Sequence, residues 1–232
     1  MEREIALIVG AGSGLSAALA RLFAREGLAV ALAARNPGKL TALTAETGAV
    51  AFACDTSVAE QVDRLFADLD QRLGPPSLVV YNAGLRVRGP IEALDPAEVQ
   101  RAWLVGCFGG FLVAQQAARR MLRAGRGTLI FTGATASVKG FPQSSAFAMG
   151  KFALRGLAQS LARELAPKGV HVAHVVIDGG IASSYAKTDQ DDRASDRFLD
   201  PNAIAGEYLN LHRQHRSAWS WELELRPHTE NF

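Results

Sequence analysis

A strand that runs without a break into a glycine-rich turn and then a helix narrows the possible folds of this chain more than any other feature. Glu4-Ile5-Ala6-Leu7-Ile8-Val9 is an apolar run, and Gly10-Ala11-Gly12-Ser13-Gly14-Leu15 follows it directly. Leu15, Leu19, Leu22 and Phe23 then recur at helical spacing up to Glu26, and Gly27 closes the turn. Such a joint gathers the unpaired N–H groups of a helix start and the positive end of its dipole at one point. That is a site for phosphate. Glycine is needed there because a Cβ would hold the backbone away from a pyrophosphate and forbid some of the turn dihedrals. A tight turn without a ligand uses the same residues, but the place at the first strand–helix joint favours a nucleotide.

The remaining sequence alternates in the same way. Ala29 to Ala33 reads as a second strand, and Pro37 opens a short helix that Gly48 ends. Val50 to Cys54 is a third strand, and the capping-box pattern Ser57-Val58-Ala59-Glu60 predicts a helix running to about Leu73. Leu78 to Tyr81 is a fourth strand, and Asp95-Pro96 caps a helical region that carries Trp103, Phe111 and Met121. Thr128 to Thr132, a long helix from Gln143 to Ala166, Val170 to Val176, a helix from Asp200-Pro201 and a strand at Glu222 to Leu225 complete the pattern. Apolar strands alternating with helices imply a parallel sheet covered on both faces. Right-handed crossovers make this a doubly wound, Rossmann-type α/β fold of about seven strands, in one domain spanning 1–232. The ligand crevice of such a fold lies at the carboxyl ends of the strands. Gly10, Arg35, Asp55, Asn82, Gly133 and Asp178 each fall just after a strand.

Composition excludes several classes. The formal net charge is +2 with the signs interspersed, which gives no footprint for nucleic acid. Hydrophobic residues make up 48%, yet no uncharged apolar stretch is long enough to span a bilayer. The start Met1-Glu2-Arg3-Glu4 enters a strand at once, so no targeting peptide is expected and the expected compartment is the cytoplasm. Cys54 and Cys107 lack CxxC or histidine spacing and read as buried free thiols. His171 and His174, three apart on a strand, face opposite sides, so no metal site is expected.

From about Ile5 to Leu225 the chain resembles the short-chain dehydrogenases/reductases. Gly10-Ala11-Gly12-Ser13-Gly14-Leu15-Ser16 is similar to that family's TGxxxGxG turn, with Val9 where threonine is usual and Ser16 in place of the last glycine. Asn82-Ala83-Gly84 matches its NAG, and Asp55 stands where an aspartate flanks the adenine ring. The resemblance thus implies a nicotinamide dinucleotide held by Gly10, Gly12, Ser13, Gly14, Leu15, Asp55, Asn82, Ala83 and Gly84. Arg35 ends strand two, where an acid would grip the 2′-hydroxyl of NAD; a guanidinium there pairs with the 2′-phosphate of NADP. NADP(H) is therefore the expected cofactor, in preference to NAD(H). After strand six, Asp178-Gly179-Gly180-Ile181-Ala182-Ser183 best matches the family's PGxIxT, with Ile181 offering backbone groups to the nicotinamide amide.

The catalytic groups depart from the pattern. The family carries an Asn-Ser-Tyr-Lys tetrad in which tyrosine protonates the carbonyl oxygen and lysine lowers its pKa and holds the nicotinamide ribose. Lys151 is present, but Phe147 replaces the tyrosine, Ala134 the serine and Gly106 the asparagine. Candidate substitutes for the proton donor are Lys151 itself, Ser137, Ser144, Ser145, Tyr185 and water. Asp178 could serve only if its pKa were raised; a loop carboxylate bound to backbone N–H groups is commoner. The expected activity is hydride transfer to or from a small carbonyl- or alcohol-type substrate with a non-standard donor. The alternatives are a catalytically silent cofactor-binding sensor or a scaffold. Phe108, Phe141, Pro142 and Phe147 suggest an apolar pocket wall, and the polar stretch at about 182–198 matches the family's lid. The resemblance also implies a homodimer or homotetramer, paired through the two long helices. Gly109, Gly110, Ala117 and Ala118 are expected to permit close approach there, with Trp219 and Trp221 at a further contact.

Overall fold

The computed structural model describes residues 3–182 and 197–230. Among them, seven strands form one parallel sheet in the order β3-β2-β1-β4-β5-β6-β9. These are β1 (Ile5–Val9), β2 (Ala29–Ala34), β3 (Val50–Ala53), β4 (Leu78–Tyr81), β5 (Gly127–Thr132), β6 (Val170–Ile177) and β9 (Glu222–Leu225). A separate two-stranded ladder joins β7 (Gly180–Ile181) to β8 (Phe198–Leu199). The central strands are apolar throughout because both faces are covered. Ala6 and Ile8 pack beneath α1 (Leu15–Arg25), α2 (Thr41–Thr47) and α7 (Pro201–Arg213). Leu7 and Val9 pack beneath α3 (Ala59–Arg72), α5 (Gly109–Ala124) and α6 (Ser145–Leu165). The chain winds outward from β1 to β3 and then crosses back to β4, so β1 and β4 are neighbours at the switch point. Gly10 and Asn82 follow those two strands.

Local signals were used unevenly. Pro96 and Pro201 start α4 (Pro96–Trp103) and α7, each with the preceding aspartate accepting a backbone N–H, at 3.0 Å for Asp95 and 2.8 Å for Asp200. The Ser57–Glu60 capping box does not form. Val58 is the N-cap of α3, and the Ser57 hydroxyl instead donates to Asp55 Oδ1 at 2.6 Å. The nearer and charged acceptor wins. The helical region after Asp95 is also interrupted, by a π-turn at Leu104–Phe108. Its cause is visible in the buried Tyr81 hydroxyl, which donates to the Val105 carbonyl and so competes with the helix ladder.

The small residues of α5 face inward, contrary to the expectation of a subunit contact. A Cβ on Gly109 would fall 2.6 Å from the Tyr81 hydroxyl, and one on Gly110 2.7 Å from Leu154 Cδ1. Ala117 is buried in the core, and Ala118 packs against it. The two tryptophans likewise have partners within the chain. Trp219 stacks on His171 with ring centres 4.8 Å apart, and Trp221 lies under Arg155 and Arg163.

Candidate functional site

The glycine turn is built as a cradle. Gly10 sits at φ +84°, and a Cβ there would come within 2.5 Å of the Ala83 backbone, so this position needs glycine on two counts. No heavy atom lies within 4 Å of where a Cβ would stand on Gly12 or Gly84, which leaves open space along the turn. Gly14 is the N-cap of α1, no side chain caps that helix, and its first turn carries no acid. No side chain therefore competes with an anion for the N–H groups at the start of α1. Ser13 is exposed beside them, while Leu15 is buried and anchors the first turn of the helix. Ser16, where the resemblance led to a glycine, is structural. Its hydroxyl donates to the Gly10 carbonyl at 3.1 Å and accepts from Asn82 Nδ2 at 2.8 Å. One serine thus fixes the turn after β1 to the loop after β4.

Arg35, Asp55, Asn82, Ala83 and Gly84 line one cleft of about 190 Å³ together with Gly10. Burial alone would raise the Asp55 pKa. The Ser57 hydroxyl and N–H, with Arg35 and Arg101 nearby, outweigh it and hold the carboxyl below its usual value. Arg35 is exposed and, among the described residues, forms no salt bridge.

Gly84 and Leu85 continue from this cleft into a small cavity of about 10 Å³ shared by Gly106, Phe147, Gly150 and Lys151. One helical turn apart on α6, Phe147 and Lys151 lie on one face, with Nζ 5.9 Å from the ring centre. Lys151 is buried, and its ammonium donates to the Thr132 carbonyl at 2.7 Å. Burial brings its pKa down to about 8. Ala134 follows β5 in extended conformation, and its N–H donates to Ser137 Oγ at 3.1 Å. The Arg86 guanidinium also lies over the Phe147 ring, with Cζ 5.6 Å from its centre. No motif pointed to Arg86; the available signal was a charge two residues beyond Asn82-Ala83-Gly84.

Several sequence candidates do not reach this pocket. Ser137 is fully buried and engaged by the Ala134 N–H, and Ser144 is buried with its hydroxyl turned toward the Pro142 carbonyl. Ser145 lines an apolar groove with Trp103 and Met149 instead. Tyr185 lies outside the described residues, as does most of the proposed lid. Ile181 lines neither cavity and pairs with Leu199. The glycine assigned after Asp178 is needed, since Gly179 has φ +144° and a Cβ would meet the Pro227 ring at 2.9 Å. Asp178 is neither an acid facing the pocket nor a simple loop cap: Arg226 binds its carboxylate. Phe108 stacks between Trp103 and Phe111 on the outer surface, and Phe141 and Pro142 are exposed, so of the four expected wall residues only Phe147 lines the pocket.

Behind the pocket, His174 Nδ1 meets Glu222 Oε2 at 3.0 Å, and Arg155 holds the same carboxylate at 2.6 and 2.8 Å. Burial dominates and lowers the His174 pKa to about 4; the arginine already compensates much of the glutamate charge that would oppose it. His171, on the opposite face, meets the Ser220 carbonyl. Among the described residues, no group of three His, Cys, Asp or Glu side chains is placed to hold a metal. No described helix is long and apolar enough to cross a membrane.

Comparison with known proteins places this geometry. The family model described as short chain dehydrogenase matches residues 4–194. The chain is 31% identical over 198 residues to the 3-oxoacyl-[acyl-carrier-protein] reductase MabA of Mycobacterium tuberculosis, which covers 85% of this chain and 75% of that one. Among solved structures, a short-chain dehydrogenase from Rhodopseudomonas palustris has a TM-score of 0.84 and 35% identity, covering 97% of this chain and 99% of its own. A metagenomic short-chain oxidoreductase in complex with NADP has a TM-score of 0.83 and 27% identity, covering 97% of both chains.

Proposed function

The chain belongs to the short-chain dehydrogenase family, and from that membership we propose that it is an NADP(H)-dependent oxidoreductase in which Lys151 takes over the proton chemistry of the missing phenol. The residues suit the dinucleotide. The open faces at Gly12 and Gly84 and the uncapped start of α1, from Gly10 to Leu15, would hold the pyrophosphate. Asp55 and Asn82–Gly84 would flank the adenine side, and Arg35 would meet the 2′-phosphate. Lys151 would hold the nicotinamide ribose, and Ile181 the amide. The NADP complex of the metagenomic relative supports this cofactor. When bound, NADP(H) supplies or accepts the hydride.

One observation carries the proton-donor reading. Of the described candidates, only Lys151 shares a cavity wall with Phe147. A pKa of about 8 leaves the ammonium mostly protonated at neutral pH, yet a stronger acid than an ordinary lysine. In the reducing direction Nζ gives its proton to the carbonyl oxygen of a small substrate and regains one from solvent. A second reading, a cofactor-binding protein without turnover, is favoured by the loss of the side-chain functional groups at Gly106, Ala134 and Phe147 together. Calorimetric titration with NADPH and NADH, beside NADPH oxidation on a panel of small ketones and aldehydes, tests both. Binding with turnover supports the enzyme, binding without turnover supports the silent reading, and no binding removes both.

The same reading includes a homo-oligomer, formed through the outer faces of α4, α5 and α6. Trp103, Phe111, Met149 and Phe152 are exposed there, and Trp103, Phe108 and Phe111 form a continuous stack.

A further inference from the structure

We propose that Arg86 is a specificity-determining residue that binds a carboxylate on the substrate, so that the substrate is a small oxo- or hydroxy-acid rather than a neutral carbonyl compound. The inference rests on the proposed function, with the substrate beside the Phe147 and Lys151 side chains rather than inside the cavity of about 10 Å³ between them. The Arg86 guanidinium lies over the Phe147 ring, with Lys151 Nζ also within 6 Å of the ring centre. A guanidinium over an aromatic face is held by the ring's quadrupole while its in-plane N–H groups stay free. That fork matches a carboxylate with two parallel hydrogen bonds. Among the described residues Arg86 has no carboxylate partner, although its side chain is exposed.

The charge around the cavity points the same way. The loop at 82–90 carries Arg86 and Arg88 and no acid, and the loop at 133–147 carries Lys139 and no acid. The Gly89 N–H donates to the Gln143 carbonyl at 3.0 Å and ties the two loops together. Lys151 is the one charged residue lining the cavity, and Arg86 stands over its Phe147 wall, so the described charges at this wall are both positive. Two cations together attract an anion. Arg35 lines the cleft with Gly10 and Asp55 and does not line the Phe147–Lys151 cavity, so a single 2′-phosphate does not account for both arginines.

The test uses oxamate, a carboxylate that cannot be reduced as a ketone, and oxamide, its neutral counterpart, titrated by calorimetry at low salt into wild type, Arg86→Gln, Arg86→Lys and Arg123→Gln. Each titration is run with and without NADPH, so that the anion site is scored even if the cofactor reading fails. Arg123→Gln removes the same charge at a distant exposed position of α5. Oxamate should bind wild type and Arg123→Gln about ten- to a hundredfold more tightly than Arg86→Gln. Arg86→Lys should recover part of the loss, and NADPH affinity should be the same in all four. Equal affinity for oxamate and oxamide, or an oxamate affinity unchanged in Arg86→Gln, would overturn the proposal. So would a loss of NADPH affinity in Arg86→Gln, which would make Arg86 a cofactor ligand.

Discussion

At the scale of single residues, the proposed function makes separate predictions for Arg35 and Phe147. Arg35 is an exposed cation lining the cleft, and Asp55, which lines it too, is kept ionised by its bonds to Ser57. A charge-assisted pair contributes roughly 1.5–3 kcal/mol. Arg35→Ala is therefore expected to weaken NADPH binding by about ten- to a hundredfold and leave NADH nearly unchanged. Calorimetry with both cofactors checks this, and an unaltered NADPH affinity would remove Arg35 from the site. For the rate, the proposal turns on Phe147. Its ring occupies the position of a phenol beside Lys151 but has no proton to give. Phe147→Tyr combined with Ala134→Ser should raise ketone reduction toward the factor of about 10²–10⁴ that a positioned general acid contributes. Adding Lys151→Ala should abolish the gain. A double variant that folds with no gain in rate would show that the scaffold does not bring the three groups together.

At the scale of elements, the joint between β1 and α1 tolerates little change at Gly10. Gly10→Ala must accept a positive φ and push against the Ala83 backbone, at a cost of about 2–5 kcal/mol. Ser16→Ala removes only hydrogen bonds and should cost nearer 1 kcal/mol. Urea unfolding of both variants would rank them, and an equal loss would mean that the turn relaxes around the new methyl group. This joint was fully legible in the sequence because its glycines, its apolar strand and its helical spacing are local signals. The succession of strands and helices along the chain was legible for the same reason. What local patterns could not supply was competition between distant groups. Asp55 drew Ser57 away from its capping box, and Tyr81 opened the π-turn at Val105 from another strand. The inward direction of Gly109 and Gly110 depends on Tyr81 and Leu154, far apart in sequence. Arg86 belongs to no motif, and only the fold places it on Phe147.

At the scale of the whole molecule, the apolar outer faces of α4–α6 and the shared cleft make separate claims. Phe111 is 42% exposed and Phe152 44%, large values for aromatic rings on a lone chain. Light scattering is expected to give a dimer or tetramer, and the double change Phe111→Glu with Phe152→Glu should lower the mass toward a monomer without unfolding it. An oligomer untouched by both charges would place the contact elsewhere. In the proposed function one continuous cleft serves both cofactor and proton transfer, with Lys151 where the two meet. Its most direct test is the pH dependence of NADPH oxidation on a reducible carbonyl substrate from about pH 6 to about pH 10. Because burial lowers the Lys151 pKa to about 8, the ammonium donor is lost above that value. The expected rate is level below about pH 8 and falls about tenfold per unit above it, with Lys151→Met inactive throughout. A rate that stays level to about pH 10, or a Lys151→Met variant that follows the wild-type profile, would contradict it.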